Sequence, residues 1–216
     1  MKKIIFRINL FFIPAFFPVS LHLFAQPVTI VKQDFDTIYS PAWSYTGTAN
    51  YASGLSSAND APSNSPFGIN GSWAWETTGQ GSAVTLSFSN QNITGLDSVY
   101  IIFRVAAFSM GTLSNGPDDL VYVIASVSVN GGINYYDRIR INGAVSNNSN
   151  WAYSATGVGT DTFSITAPMK IYQPSNSGPA TTDGYSTAVI FIPNTYSQVA
   201  LNIRARAKAQ TRNGGV

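Results

Sequence analysis

The chain has 216 residues, of which only 10% are charged, and its twelve Lys and Arg against ten Asp and Glu give a formal net charge of +2. It has no cysteine and a single histidine. Disulfide staples and thiol chemistry are therefore excluded, and any His-based catalysis or metal ligation would rest on one residue.

That residue, His22, lies in a segment built like an export signal. Lys2, Lys3 and Arg7 are followed by an almost uncharged run from Ile8 to Phe24, the layout of a secretory signal peptide, with cleavage expected after Ala25. The run falls short of the ~20 clean apolar residues that a membrane span needs, and Pro14, Pro18 and His22 interrupt it. Removing residues 1–25 of the 216 leaves 191, enough for one β domain, residues 26–216. Three basic residues leave with the signal, so nine Lys and Arg then face ten acidic residues, and no histidine remains. Ser-His-Asp and Cys-His catalysis and every His- or Cys-ligated metal site disappear together. Nucleic acid loses its electrostatic motive. The expected location is the cell surface or the medium, reached through the periplasm, with no membrane span after cleavage.

Period-two alternation dominates the remainder, and sustained helical spacing is absent. Val28 to Phe35 reads as a short strand. The interval from Tyr39 to Gly81 has little periodicity and is expected to hold short strands or a functional surface. Ser82 to Ser89 is a strand, and Asp97 to Phe108 is a central one, because Val99, Ile101, Phe103 and Val105 alternate against Tyr100, Ile102, Arg104 and Ala106, leaving both faces largely apolar. Leu120 to Val129 and Ile133 to Ile141 flank Asn130-Gly131-Gly132, a hairpin signal. Thr160 to Tyr172 supplies edge pieces, and Ser186 to Ile192 ends where Pro193 removes a ladder donor. In Val199 to Lys208, Val199, Leu201, Ile203, Ala205 and Ala207 face the core, while Arg204, Arg206 and Lys208 form a wet cationic face. The pattern predicts an all-β, two-layer antiparallel sandwich, with a jelly roll as its leading form.

Several short motifs carry a resemblance: Gln33-Asp34-Phe35-Asp36 with Pro41-Ala42-Trp43, Gly95-Leu96-Asp97, Asp118-Asp119-Leu120-Val121-Tyr122-Val123, Ser128-Val129-Asn130-Gly131-Gly132 and Asn150-Trp151. Together they resemble the secreted MAM-like and concanavalin-like jelly-roll domains of gliding bacteria that use type IX secretion. The resemblance implies an accessory adhesion or glycan-binding role within a larger polypeptide. It also implies a further strand and a sorting domain beyond Val216, so a C-terminal truncation is expected.

Trp73 and Trp75 stand two apart, so in a strand they share a face and could form an aromatic platform for sugar rings, with Glu76 hydrogen-bonding hydroxyls. The alternative is that both fill the core. Trp151 and Tyr153 carry the same choice, whereas Trp43 is expected in the core. Asp34, Asp36, Asp118 and Asp119 are candidate ligands for a structural calcium ion, with Asp118-Asp119 as its nucleus. No catalytic residues are assigned. A carboxylate glycosidase would have to pair Glu76, the sole glutamate, with Asp118 or Asp119. The expected function is an extracellular, non-catalytic binding or adhesion module for a glycan or surface polymer. The alternative is a structural spacer within a larger secreted protein.

Overall fold

The computed structural model describes residues 2–12, 28–33, 41–47, 50–52, 74–78, 82–109, 121–142, 158–172 and 186–206, and among these all regular structure is strand, with no helix. Two sheets account for it. The first runs β10 (Val158–Thr162), β12 (Ser186–Pro193), β7 (Ser98–Ser109), β1 (Lys2–Phe12), β5 (Ala74–Thr78) and β4 (Asn50–Ala52), with β2 (Val28–Gln33) also paired to β1. The second runs β11 (Lys170–Tyr172), β9 (Tyr136–Asn142), β8 (Tyr122–Ser128), β13 (Gln198–Arg206), β6 (Val84–Asn92) and β3 (Tyr45–Gly47).

Alternation decides which residues fill the space between the sheets. On β7, Val99, Ile101, Phe103 and Val105 are buried, and on β12 Ala188, Ile190 and Ile192 lie level with them. The second sheet answers with Leu86 and Phe88 on β6, Val123, Ala125 and Val127 on β8, and Val199, Leu201, Ile203 and Ala205 on β13. All belong to one apolar cluster, a sandwich-like core, in which each buried Val, Leu, Ile or Phe contributes about 1.5–3 kcal/mol. Trp43, fully buried as expected, tilts against Phe88 at 5.0 Å and donates its indole N–H to the Ser89 carbonyl at 2.7 Å. The backbone beside it forms a parallel bridge between Lys32 and Ala42.

Both sheets are mixed, where antiparallel pairing was expected. β10 runs parallel to β12, and β11 parallel to β9. The chain does not fold back between β10 and β11 as a hairpin would; residues 163–169 carry it from the first sheet to the second.

Arg138 holds that crossing. Ala125 pairs with Ile139 and Ser126 with Asp137, so the β8–β9 ladder skips Arg138 and makes it the extra residue of a β-bulge. A bulge re-aims the side chain it carries. The Arg138 guanidinium, 1% exposed, donates to Asp161 Oδ2 on β10 at 2.8 Å, to the carbonyls of Ser164 and Ala167 at 2.8 and 2.7 Å, and lies 5.7 Å from the Phe163 ring centroid. One cation thus links the two sheets and satisfies carbonyls of the crossing segment. Lys170 stands 3.6 Å from the other Asp161 oxygen but is half exposed, so it adds little.

Lys2–Phe12, inside the segment expected to be cleaved, forms an internal strand of the uncleaved chain, with β7 on one side and β2 and β5 on the other. Ala207 and Lys208 of the expected last strand lie outside the described residues.

Breaking a buried ion pair on one side leaves an uncompensated charge and costs about 3–5 kcal/mol. Asp161→Asn is therefore expected to cost about 3 kcal/mol, and Arg138→Met more, because it also orphans the carbonyls of the crossing. Urea unfolding checks this order; losses below about 1 kcal/mol for both would contradict the role given to the pair.

Candidate functional site

The described residues form a groove of about 360 Å³ over the outer face of the second sheet, where β3, β6 and β13 meet the loop between β8 and β9. Its origin is visible in the ladders. Leu86 and Phe88 point into the core, which turns Ser87 and Ser89 outward. β3 pairs Thr46 with Ser87, and just before it Ser44 Oγ donates to Ser89 Oγ at 2.8 Å, so two rungs of hydroxyls stand side by side. Gln91 Nε2 adds a bond to Ser89 Oγ at 3.0 Å. Gly47 follows on β3, where a Cβ would collide with the Thr85 carbonyl; glycine lets this edge strand close onto β6.

The floor comes from an irregularity. β13 pairs Leu201 with Phe88 and Val199 with Gln91, so Ala200 faces Ser89 and Asn90 across a bulge. Its small side chain leaves the groove open beneath the wall. Asn90 at the rim donates to Gln198 Oε1 at 2.9 Å.

The wall is the β8–β9 loop, which its own polar groups hold. Buried Ser128 accepts from the Gly132 N–H at 3.0 Å and donates to Asn130 Oδ1 at 2.9 Å, and that amide oxygen accepts from the Asn134 N–H at 3.0 Å. Gly131 and Gly132 adopt positive φ, 76° and 84°. Tyr135 then lines the groove. Partial burial pushes its phenol above the ordinary 10.0, so it remains a neutral hydroxyl at physiological pH. Hydroxyls, an amide and the aromatic residues Tyr45, Phe88 and Tyr135 in one lining suit a neutral polyhydroxylated ligand.

Farther along the same face, Asp137 accepts from Ser126 Oγ at 2.5 Å and from Arg204 at 3.2 Å. Arg140 lies 4.7 Å from the Tyr122 ring centroid. The arginines at these positions thus serve the solvated face of the sheet.

Of the site residues singled out in the sequence, Trp75 and Glu76 fall among the described residues. The backbones of Trp75 and Glu76 belong to β5, at register positions opposite Phe6 and Ile5 of β1 on one side and Tyr51 and Asn50 of β4 on the other. Trp73, Trp151 and Tyr153, and the calcium candidates Asp34, Asp36, Asp118 and Asp119, lie outside the described residues. Among the described residues no group of three or more His, Cys, Asp or Glu is placed to hold a metal ion. No described helix is long and apolar enough to cross a membrane. The groove escaped the sequence reading because Ser, Thr and Asn looked like background. The alternation of Ser87 and Ser89 with Leu86 and Phe88, followed far along the chain by a Gly-Gly hairpin and Tyr135, was its available signal. Comparison with family models, with curated proteins and with solved structures returned no match.

Gly132 offers a test of the wall. Its φ of 84° disfavours any L side chain, and a Cβ there would lie 3.3 Å from the Tyr135 hydroxyl. Gly132→Ala is expected to lower the unfolding free energy by about 1 kcal/mol, measured in denaturant. An unchanged midpoint would show that the loop conformation is not held as described.

Proposed function

We propose that the protein is an exported, non-catalytic binding module that takes a glycan in the groove between β3, β6, β13 and the Gly131–Tyr135 loop. The observation that carries this reading is the placement of two rungs of outward hydroxyls, Ser44 with Ser89 and Thr46 with Ser87, in a groove that Tyr135 also lines. Sugar hydroxyls exchange hydrogen bonds with such groups, and the C–H face of a sugar ring packs on an aromatic face. Support for export comes from the N-terminal sequence alone. The loss of the single histidine with the signal, and the lack of cysteine, favour binding over catalysis. A jelly-roll topology of the MAM-like or concanavalin-like kind is the finer form of the fold that fits this reading. The binding surface proposed from the sequence, Trp73 and Trp75, becomes the competing location. A spacer role would be favoured by a groove that binds nothing.

A glycan array probed with the exported chain tests the proposal. Tyr135→Ala is expected to weaken binding about tenfold, the loss of roughly one stacking contact, while Trp73→Ala and Trp75→Ala leave it unchanged. Binding that survives Tyr135→Ala and is lost with the tryptophans would return the site to the sequence-based surface.

A further inference from the structure

The position of β1 has a consequence for the exported protein. β1 is an internal strand, paired through eleven successive positions with β7, from Lys2 opposite Ser109 to Phe12 opposite Val99. Its other edge pairs with β2 through residues 8–12 and with β5 through residues 3–6. Opposite residues of an antiparallel pair lie on the same face of a sheet. The core-facing residues Val99, Ile101, Phe103 and Val105 of β7 therefore stand in register with Phe12, Leu10, Ile8 and Phe6, and the next such position on β1 is Ile4. From Ile4 to Phe12 the chain thus carries an apolar residue at every second position, in phase with the core, while Lys3, Ile5, Arg7, Asn9 and Phe11 stand out of phase.

Signal cleavage after Ala25, on which this inference rests, removes that strand. It strips one edge of β7 along its whole length and separates it from β2 and β5. The vacated slot combines unpaired backbone N–H and C=O groups with the border of an apolar core, the two features that make a sheet accept an added strand.

We propose that the mature domain takes a β-strand from another polypeptide into the place of β1, antiparallel to β7. The register defines the chemistry of the partner: an extended segment of about eleven residues, with bulky apolar side chains at the alternate positions level with Val99, Ile101, Phe103 and Val105. Main-chain hydrogen bonds supply affinity, and the alternate apolar positions supply register and selectivity.

The test uses the full chain, produced in a cytoplasm where the signal is retained, with a site-specific protease sequence inserted between residues 13 and 27. After folding and cutting, a fluorescent synthetic peptide of residues 2–12 is added. The cut chain is expected to exchange its own strand for the peptide, seen as a rise in anisotropy and in melting temperature. The uncut chain should take none. The same peptide carrying Ile8→Lys and Leu10→Lys should bind at least a hundredfold more weakly. A cut chain that loses its N-terminal fragment, keeps its melting temperature and refuses the peptide would overturn the slot, as would a dimer that excludes the peptide. The N-terminus of the exported chain separates the two readings. Beginning at Met1, it would refute the export reading and leave β1 a permanent strand; beginning at Gln26 on a stably folded chain that refuses the peptide, it would refute the slot alone.

Discussion

Every buried backbone N–H and C=O in a sheet must find a partner, and β7 is where this requirement governs the molecule. Its apolar side chains Val99, Ile101, Phe103 and Val105 place it against the core, so neither of its edges can be left to water. β12 satisfies one edge and β1 the other. The rest of the first sheet is attached through these two strands: β10 through β12, and β2, β5 and β4 through β1. The segment with the layout of an export signal thus also provides central pairing in the first sheet.

The second sheet meets a different demand. Its inner face closes the core, while its outer face keeps hydroxyls, an amide and charged groups in solvent. Arg138 fixes the relation between the sheets at one edge, where a bulge turns a cation inward to meet Asp161 and the carbonyls of the crossing segment. A second bulge, at Ala200 opposite Ser89 and Asn90, opens the floor of the groove. Irregularities in otherwise regular ladders thus create both the structural clamp and the proposed binding surface.

The regular parts were legible in the sequence. Alternation located β6, β7, β8, β9, β12 and β13, and the core faces of β7 and β13 follow it residue by residue from Val99 to Val105 and at Val199, Leu201, Ile203 and Ala205. The bulges were not legible, because alternation assumes an unbroken phase and one extra residue reverses it. Arg138 therefore reads as an ordinary strand arginine although it is buried, and Asn90 stands in the core phase of Leu86 and Phe88 although it is exposed. Parallel pairing at β10 and β11 depends on contacts across the sandwich that no local pattern encodes. Lys2–Phe12 shows the same limit from another side: hydrophobic length suggested a signal, and the strand phase of Ile4, Phe6, Ile8, Leu10 and Phe12 acquires meaning only beside β7.

The central functional claim is that ligand binding uses the outer face of the second sheet. Amide hydrogen exchange, with and without a saturating oligosaccharide identified on the array, measures this most directly. The account predicts slowed exchange in Ser44–Gly47, Ser87–Asn90 and Gly131–Tyr135, with Ala74–Thr78 unchanged. Protection confined to Ala74–Thr78 would contradict it and place the binding surface at Trp75.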